Sequence, residues 1–121
     1  MVSALFDTNI LIDYLNGIDQ AKTELDRYSD KAISLITWME VMVGATAETE
    51  GTMKGFLSGF VNLSIDVQIA ELSVVLRKKH KIKLPDAIVW ATAQVNRSIF
   101  VTRNTKDFTH DEPGIRVPYQ I

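Results

Sequence analysis

Several features are missing from this chain, and each absence excludes a class of protein. There is no cysteine among the 121 residues, which excludes disulfides, thiolate zinc sites and cysteine nucleophiles and fits a reducing cytoplasm. No apolar run approaches the roughly 20 residues that a membrane-spanning helix needs, so we expect no membrane segment. The first residues lack a basic start and a long apolar stretch, so we expect no signal peptide.

A large excess of charge is also missing. The net charge is −2, which argues against a protein that coats nucleic acid through bulk electrostatics. The positive charge is unevenly placed, because six basic residues crowd into one short segment: Arg77, Lys78, Lys79, His80, Lys81 and Lys83. Such a segment allows contact with phosphates, but the C-terminus of a helix also attracts cations. The sequence favours neither interpretation.

The chain does contain enough apolar material for a core. Its hydrophobic fraction is 46%, within the globular range and above that of disordered chains. A length of 121 residues fits one domain and leaves little room for a second. We therefore predict a single domain over residues 1–121.

Short apolar segments alternate with helical patterns along the chain. Strands are predicted over residues 2–6, 32–36 and 98–101, with an edge strand at 115–117. Helices are predicted from residue 8 to Asn16-Gly17 and over 19–28, 38–48, 52–60, 66–80 and 85–95. Asp66 is the expected N-cap of the fifth helix, and Pro85 fits the first turn of the sixth, which is apolar on nearly every side and therefore buried. This alternation indicates a three-layer α/β/α sandwich around a mostly parallel sheet.

Three carboxylates lie where a predicted strand has just ended or a helix has just begun: Asp7, Glu40 and Asp86. Because ligands of such sheets gather outside the carboxyl ends of the strands, we expect these residues to meet at one edge. Oxygen ligands of this kind suit Mg²⁺ and Mn²⁺, ions that polarise a phosphodiester and help to deprotonate a water.

Each acid also has a structural alternative. Asp7 can be an N-cap, and Glu40 can close a capping box with Thr37. Asp86 falls in a first helical turn, where the helix dipole favours a carboxylate, but it opens a buried helix and therefore needs a partner. Three caps at one sheet edge are less plausible than one, so the set favours a cation site.

The segment after the penultimate strand holds the remaining candidates. Thr102 and Asn104 can hold this loop by local hydrogen bonds, while Asp107 can add a ligand, act through water or only stabilise the turn. Arg103 and Lys106 can meet phosphates, although loop cations are more often only solvated. Both histidines are interpreted as solvated side chains rather than as ligands: His80 and His110.

At these positions the sequence resembles, in order and spacing, the four motifs of PIN-domain nucleases. The motifs are Phe6-Asp7-Thr8-Asn9, Thr37-Trp38-Met39-Glu40, Leu84-Pro85-Asp86-Ala87 and Thr102-Arg103-Asn104-Thr105-Lys106-Asp107-Phe108. The compact size is most similar to that of the VapC toxins of prokaryotic toxin–antitoxin pairs. Each motif alone is weak, whereas four in order over nearly the whole chain are specific.

The resemblance implies an α/β/α fold, Mg²⁺- or Mn²⁺-dependent endoribonuclease activity on RNA, a homodimer and inhibition by a cognate antitoxin. It gives Asp7, Glu40 and Asp86 the three leading acidic roles, as catalytic residues and metal ligands. The family's fourth acid often falls at the position of Asn104, so the fourth catalytic carboxylate is shifted to Asp107 or absent, which puts a second metal in doubt. The predicted supporting residues are Thr8, Asn9, Thr37, Thr102 and Asn104. The predicted RNA contacts are Lys79, Lys81, Lys83, Arg103 and Lys106.

We predict that one Mg²⁺ is held mainly by Asp7 and Asp86, with Glu40 acting through water or recruiting a second ion. Two alternatives remain open. The first is a nuclease fold that only binds partners, because Asn104 stands where the family often has its fourth acid. A receiver or phosphatase domain also uses acids at strand ends, but a receiver would want paired acids, and a phosphatase would want an Asp where Asn9 stands. Six apolar residues suit either a dimer interface or ordinary core packing: Ile10, Leu11, Tyr14, Trp38, Met39 and Met42.

Overall fold

The computed structural model describes residues 3–109 and 111–121 and has a central sheet between two layers of helices. The strands in this part of the chain are β1 Ala4–Phe6, β2 Lys31–Ser34, β3 Val61–Leu63, β4 Ile99–Val101 and β5 Ile115–Arg116. The helices are α1 Thr8–Leu15, α2 Asp19–Asp26, α3 Leu35–Val43, α4 Glu50–Leu57, α5 Val67–His80 and α6 Leu84–Val95. The predicted α/β/α sandwich is confirmed.

The sheet has the strand order β3-β2-β1-β4-β5, and every pairing is parallel. All strands therefore end at the same edge. In receiver domains the first strand lies between the second and the third, whereas here β1 lies between β2 and β4. This order excludes the receiver alternative.

The central strand β1 builds a core on both faces of the sheet, because successive side chains of a strand point in opposite directions. Leu5 packs in one cluster with Ile69 of α5 and Trp90 of α6. Ala4 and Phe6 pack in a second cluster with buried residues of α1 to α4. This packing fixes the position of β1 and therefore of Asp7, which follows Phe6 directly.

Local signals place several helix boundaries as predicted. Helix α1 ends at Leu15 with Asn16 as its C-cap, and Gly17 supplies the positive φ of 81° that lets the chain turn away. Asp66 caps α5 by accepting a hydrogen bond from the Ile69 N–H at 2.8 Å. Pro85 lies in the first turn of α6, which carries six buried residues. These predictions are confirmed.

Other boundaries were predicted wrongly. Strand β2 ends at Ser34 rather than at residue 36, because the Ser34 side chain caps α3 by accepting from the Ile36 N–H at 3.3 Å. Helix α3 then ends at Val43, before Gly44, rather than near residue 48. Strand β3 was not predicted at all: it is three residues long, and Val61 is 55% exposed at the sheet edge. The prediction for Val2 lies outside the described residues.

Most of the six apolar residues considered for an interface belong to the core. Ile10 and Leu11 are fully buried, and Tyr14, Trp38 and Met42 pack against the cluster around Phe6. Only Met39, at 43% exposure, is exposed. Core packing is therefore the correct interpretation for most of this set. Among the described residues, no helix has the length and hydropathy of a membrane span.

Candidate active site

Asp7 follows β1 directly and is held at the carboxyl edge of the sheet by three donors. It caps α1, with Oδ1 accepting from the Thr8 N–H at 2.8 Å. Its Oδ2 accepts from the Thr102 hydroxyl at 2.7 Å and from Asn9 Nδ2 at 3.2 Å. The side chain is only 5% exposed. The N-cap explanation is therefore correct, but it uses only one of the two carboxylate oxygens.

Glu40 reaches the same edge from α3. Its Oε1 lies 2.7 Å from the hydroxyl of Thr8, which also lies 3.0 Å from the hydroxyl of the buried Thr37. The predicted capping box of Thr37 and Glu40 is wrong, because Ser34 caps the helix and Thr37 lies within its first turns. Glu40 is instead turned towards α1 and the residue that follows Asp7.

Asp86 and Asp107 form a close pair of acids beside Asp7. Asp86 is half-buried in the first turn of α6, and the carboxyl of Asp107 lies close enough to raise the pKa of Asp86. Asn104 fixes Asp107 in a turn: its Nδ2 donates to Asp107 Oδ2 at 3.0 Å, and its Oδ1 accepts from the Asp107 N–H at 3.3 Å. A carboxylate three residues after Asn104 thus reaches Asp86, and Asn104 orients it.

The electrostatics of this edge favour a bound cation. Burial raises the pKa of Asp7 from 3.8 to about 6 against the lowering effect of its hydrogen bonds, and the charges of Asp86 and Glu40 raise it further. Burial also raises the pKa of Asp86 to about 6, together with the nearby carboxyl of Asp107 and the charge of Glu40. Carboxyls with raised pKa values lack a compensating positive charge. A divalent cation would supply that charge.

The donor set tests which kind of cation fits. Across residues 3–109 and 111–121, no three acidic, His or Cys side chains are arranged tightly enough to hold an ion by themselves. Mg²⁺ usually keeps several waters and binds through one or two carboxylates together with substrate phosphates. The all-oxygen edge therefore fits a hydrated hard cation and does not fit a fully dehydrated, all-protein cage.

Four of the five residues that were predicted to contact RNA are lysines. Lys79, Lys81, Lys83 and Lys106 are exposed, and Lys83 lowers the pKa of Asp86, though less than the acids raise it. Helix α5 carries four basic residues in its last turn, which agrees with the explanation from the helix dipole.

His80 is not the solvated side chain that was predicted. It is half-buried, and its ring centroid lies 4.7 Å from that of Trp90. The prediction for His110 falls outside the described residues.

Two residues of this region, Asp13 and Tyr119, were not identified in the sequence analysis. Asp13 is 3% exposed and accepts hydrogen bonds from Arg103 and from the Tyr119 hydroxyl. Arg103 was predicted to contact RNA, but its guanidinium is engaged by Asp13. The missed signal was an acid inside the apolar run from Ile10 to Leu15, since a buried acid requires a partner.

Comparisons with known proteins show which family has this fold and these sequence motifs. The model of the PIN domain matches residues 4–110. A toxin–antitoxin complex from Klebsiella pneumoniae contains a chain with 54% identity and a TM-score of 0.93, covering 98% of this chain and 100% of that one. FitAcB from Neisseria gonorrhoeae matches with 22% identity, a TM-score of 0.81 and coverage of 98% and 99%.

VapBC2 from Rickettsia felis, bound to a DNA fragment from its promoter, matches with 22% identity and a TM-score of 0.78, covering 95% of this chain and 96% of that one. At these lower identities the likeness concerns the fold alone. The comparison with curated protein sequences gives no match.

Proposed function

The chain belongs to the PIN-domain family, among the VapC-like nuclease toxins, and from this premise we propose that it is a Mg²⁺- or Mn²⁺-dependent endoribonuclease that hydrolyses RNA phosphodiester bonds. A single observation supports the proposal most strongly. Two carboxyls at one sheet edge, Asp7 and Asp86, carry raised pKa values of about 6 while further acids lie beside them.

The roles of the acids follow from their surroundings. Asp7 and Asp86 are the proposed direct ligands, and Glu40 contacts the ion through water, because its Oε1 is already close to the Thr8 hydroxyl. Asp107 is the proposed fourth catalytic carboxylate, held next to Asp86 by Asn104. When bound, the ion polarises the scissile phosphate and lowers the pKa of a nucleophilic water.

The remaining polar residues orient the acids. Thr102 donates to Asp7 Oδ2 and accepts from the Asn104 N–H at 3.0 Å, so one hydroxyl links the first acid to the loop of the fourth. Asn9 donates to both Asp7 and Thr102. The Thr8 hydroxyl contacts both the Thr37 hydroxyl and the Glu40 carboxylate. We assign these residues supporting roles.

RNA contacts are proposed for the exposed lysines Lys79, Lys81, Lys83 and Lys106. Arg103 is left out of this set, because Asp13 engages its guanidinium. If the lysines bind phosphates, affinity for RNA will fall steeply as salt rises. A flat salt response would instead leave the helix dipole as the explanation of the basic segment.

The proposal extends to the state of the protein in the cell. We propose that residues 1–121 act as one domain in the cytoplasm, as a homodimer that a cognate antitoxin inhibits. The complex from Klebsiella pneumoniae, 54% identical over 98% of this chain, supports an antitoxin partner. Sedimentation at micromolar concentration tests the dimer, and a clean monomer would remove that part of the proposal.

Cleavage of a labelled single-stranded RNA tests the activity directly. We expect cleavage with Mg²⁺ or Mn²⁺, none with EDTA, and a loss of more than a hundredfold for Asp7→Asn, which keeps the cap but removes a ligand charge. Asp66→Asn is the control, since Asp66 is also an N-cap whose side chain accepts a backbone N–H, at the start of α5. A single-stranded DNA of the same sequence tests whether RNA is the preferred substrate.

Two outcomes would contradict the proposal. Unreduced cleavage by Asp7→Asn would remove the ligand role of Asp7. Absence of cleavage by the folded wild-type protein with either ion, on a panel of structured and unstructured RNAs, would favour a PIN fold that only binds partners.

A further inference from the structure

Arg103 connects the loop that carries Asp107 to helix α1. Arg103 stands between Thr102 and Asn104, and its backbone N–H donates to Asn9 Oδ1 at 3.3 Å. Its guanidinium donates from Nε to Asp13 Oδ2, and from Nη2 to Asp13 Oδ1 at 2.9 Å. Asn9 and Asp13 are one helical turn apart, so α1 binds both the backbone and the side chain of Arg103.

A third residue joins this contact from the end of the described chain. The Tyr119 hydroxyl donates to Asp13 Oδ2 at 2.9 Å, and its ring packs against the core cluster around Phe6. Burial opposes ionisation of Asp13, but hydrogen bonds from Arg103 and Tyr119 outweigh it and lower the pKa of Asp13 below its usual value. Asp13 is therefore a buried carboxylate at neutral pH that orients two partners far from it in sequence.

The acids of the active site depend on the same loop. Thr102, one residue before Arg103, donates to Asp7, and Asn104, one residue after it, holds Asp107. A shift of Arg103 would move both side chains together. Bidentate pairing with a carboxylate fixes the plane and the direction of a guanidinium, which a single hydrogen bond does not.

A second group of an acid, an arginine and a tyrosine joins α2 to β5 and serves as an internal control. It adjoins the first group, because Tyr119 lines one cavity with Glu24 and Arg116. Glu24 of α2 accepts from Arg116 Nε at 2.7 Å and from Nη2 at 3.0 Å, and the Tyr28 hydroxyl donates to Glu24 Oε2 at 3.1 Å. Side-chain exposure is nearly equal in the two ion pairs, 33% and 5% for Arg103 and Asp13 against 35% and 4% for Arg116 and Glu24. This second group anchors strand β5. The Arg116 carbonyl accepts from the Thr102 N–H at 3.0 Å, but the hydrogen bonds of the group's side chains do not reach Thr102 or Asn104.

We infer that Asp13, Arg103 and Tyr119 form a clamp that positions the Asp107 loop against Asp7 and Asp86, and that they are positioning residues for the metal site. The inference rests on the proposed function. It makes Tyr119, in the C-terminal segment, part of the machinery that sets the metal affinity. Residues of this kind, which orient ligands without touching the ion, typically change metal affinity or activity by 10–100-fold.

Binding of Mn²⁺ to the purified protein, measured by calorimetry with MnCl₂ alone, tests the clamp without RNA. We expect Asp13→Asn to weaken the affinity roughly tenfold and Tyr119→Phe to weaken it by a smaller factor. The matched variants Glu24→Gln and Tyr28→Phe should stay within about twofold of the wild type, since those side chains make their hydrogen bonds outside the loop. In cleavage assays at saturating Mn²⁺, Asp13→Asn should lower kcat with little change in KM for RNA.

Two results would overturn the clamp. Asp13→Asn and Glu24→Gln could weaken the Mn²⁺ affinity equally, or neither change could weaken it. If Asp13→Asn does not fold, the pair Tyr119→Phe and Tyr28→Phe decides, because each change removes only one hydroxyl.

Amide hydrogen exchange in metal-free protein separates this proposal from the proposed function. Exchange of the Asn104 and Phe108 amides, whose acceptors are Thr102 Oγ1 and the Asn104 carbonyl, should quicken in Asp13→Asn beyond any global change. If the wild type binds no Mn²⁺, the proposed function fails, while this exchange still tests the clamp. Unchanged exchange would refute it.

Discussion

Asp7→Asn exchanges a buried carboxylate for an amide of the same size, and its effect on stability should reverse sign with pH. In the folded, metal-free protein the pKa of Asp7 is raised from 3.8 to about 6. Between these values the folded state holds a proton that the unfolded chain has released. Stability of the wild type therefore falls as pH rises through this window, and the loss is complete above the folded-state pKa.

The magnitude follows from the size of the shift. A shift from 3.8 to about 6 corresponds to about 3 kcal/mol at 1.36 kcal/mol per pH unit. The amide keeps the N-cap but leaves the Thr102 hydroxyl without its acceptor, which costs about 1–2 kcal/mol at every pH. At pH 4.5 the wild type has already lost about 1 of these 3 kcal/mol, because that pH lies inside the window. The variant should therefore be up to about 1 kcal/mol less stable than the wild type at pH 4.5 and about 1–2 kcal/mol more stable at pH 7.5.

Urea denaturation in EDTA at pH 4.5, 6 and 7.5 measures this difference. Asp66→Asn makes the same exchange at the exposed cap of α5 and should show no reversal. Added Mg²⁺ should stabilise the wild type, since it binds only the folded state, and should leave Asp7→Asn unchanged. A stability difference that stays constant between pH 4.5 and 7.5 would refute the claim that Asp7 is buried without a compensating charge.

Three further changes test neighbouring parts of the site. Thr102→Val removes the donor to Asp7 and the acceptor of the Asn104 N–H, so urea denaturation should give a loss of about 1–3 kcal/mol and Mn²⁺ affinity should fall as well. Asn104→Asp adds an acid beside Asp107 and removes the donor that holds it; thermal melts should give a lower midpoint in EDTA and a larger rise on adding Mg²⁺ than for the wild type. Phe108→Ala empties a fully buried position beside two other aromatic rings, and chemical denaturation should give a loss of about 3–5 kcal/mol.

Much of the fold was predictable from residues whose chemistry acts locally. Asp66, Pro85 and Gly17 each set a helix boundary through a cap, a fixed φ or a positive φ, and the structure has these boundaries. Strand β3 was missed because it is an edge strand with only three residues and a polar centre. Its pairing with β2 is what makes it a strand, and the sequence does not show that pairing.

The site shows the same division between local and distant information. Asp7 and Asp86 could be named because each lies beside a recognisable boundary. Glu40 was named beside a strand end that the structure places two residues earlier, and the partner of Arg103 could not be named. Charge in a loop is visible in a sequence, whereas its pairing with Asp13, 90 residues away, is a property of the fold. The capping box failed for a related reason: Ser34 offered α3 a cap three residues earlier than Thr37.

The parallel pairing of β1 with β4 has a consequence for the order of synthesis. The hydrogen bond between Asp7 and Thr102 spans 95 residues, so a growing chain on the ribosome makes the first acid long before the hydroxyl that orients it. Translation of that interval takes on the order of ten seconds. During this time the amino-terminal part of the sheet has no neighbour at β4, and Asp7 lacks the hydroxyl donor that orients it in the folded protein.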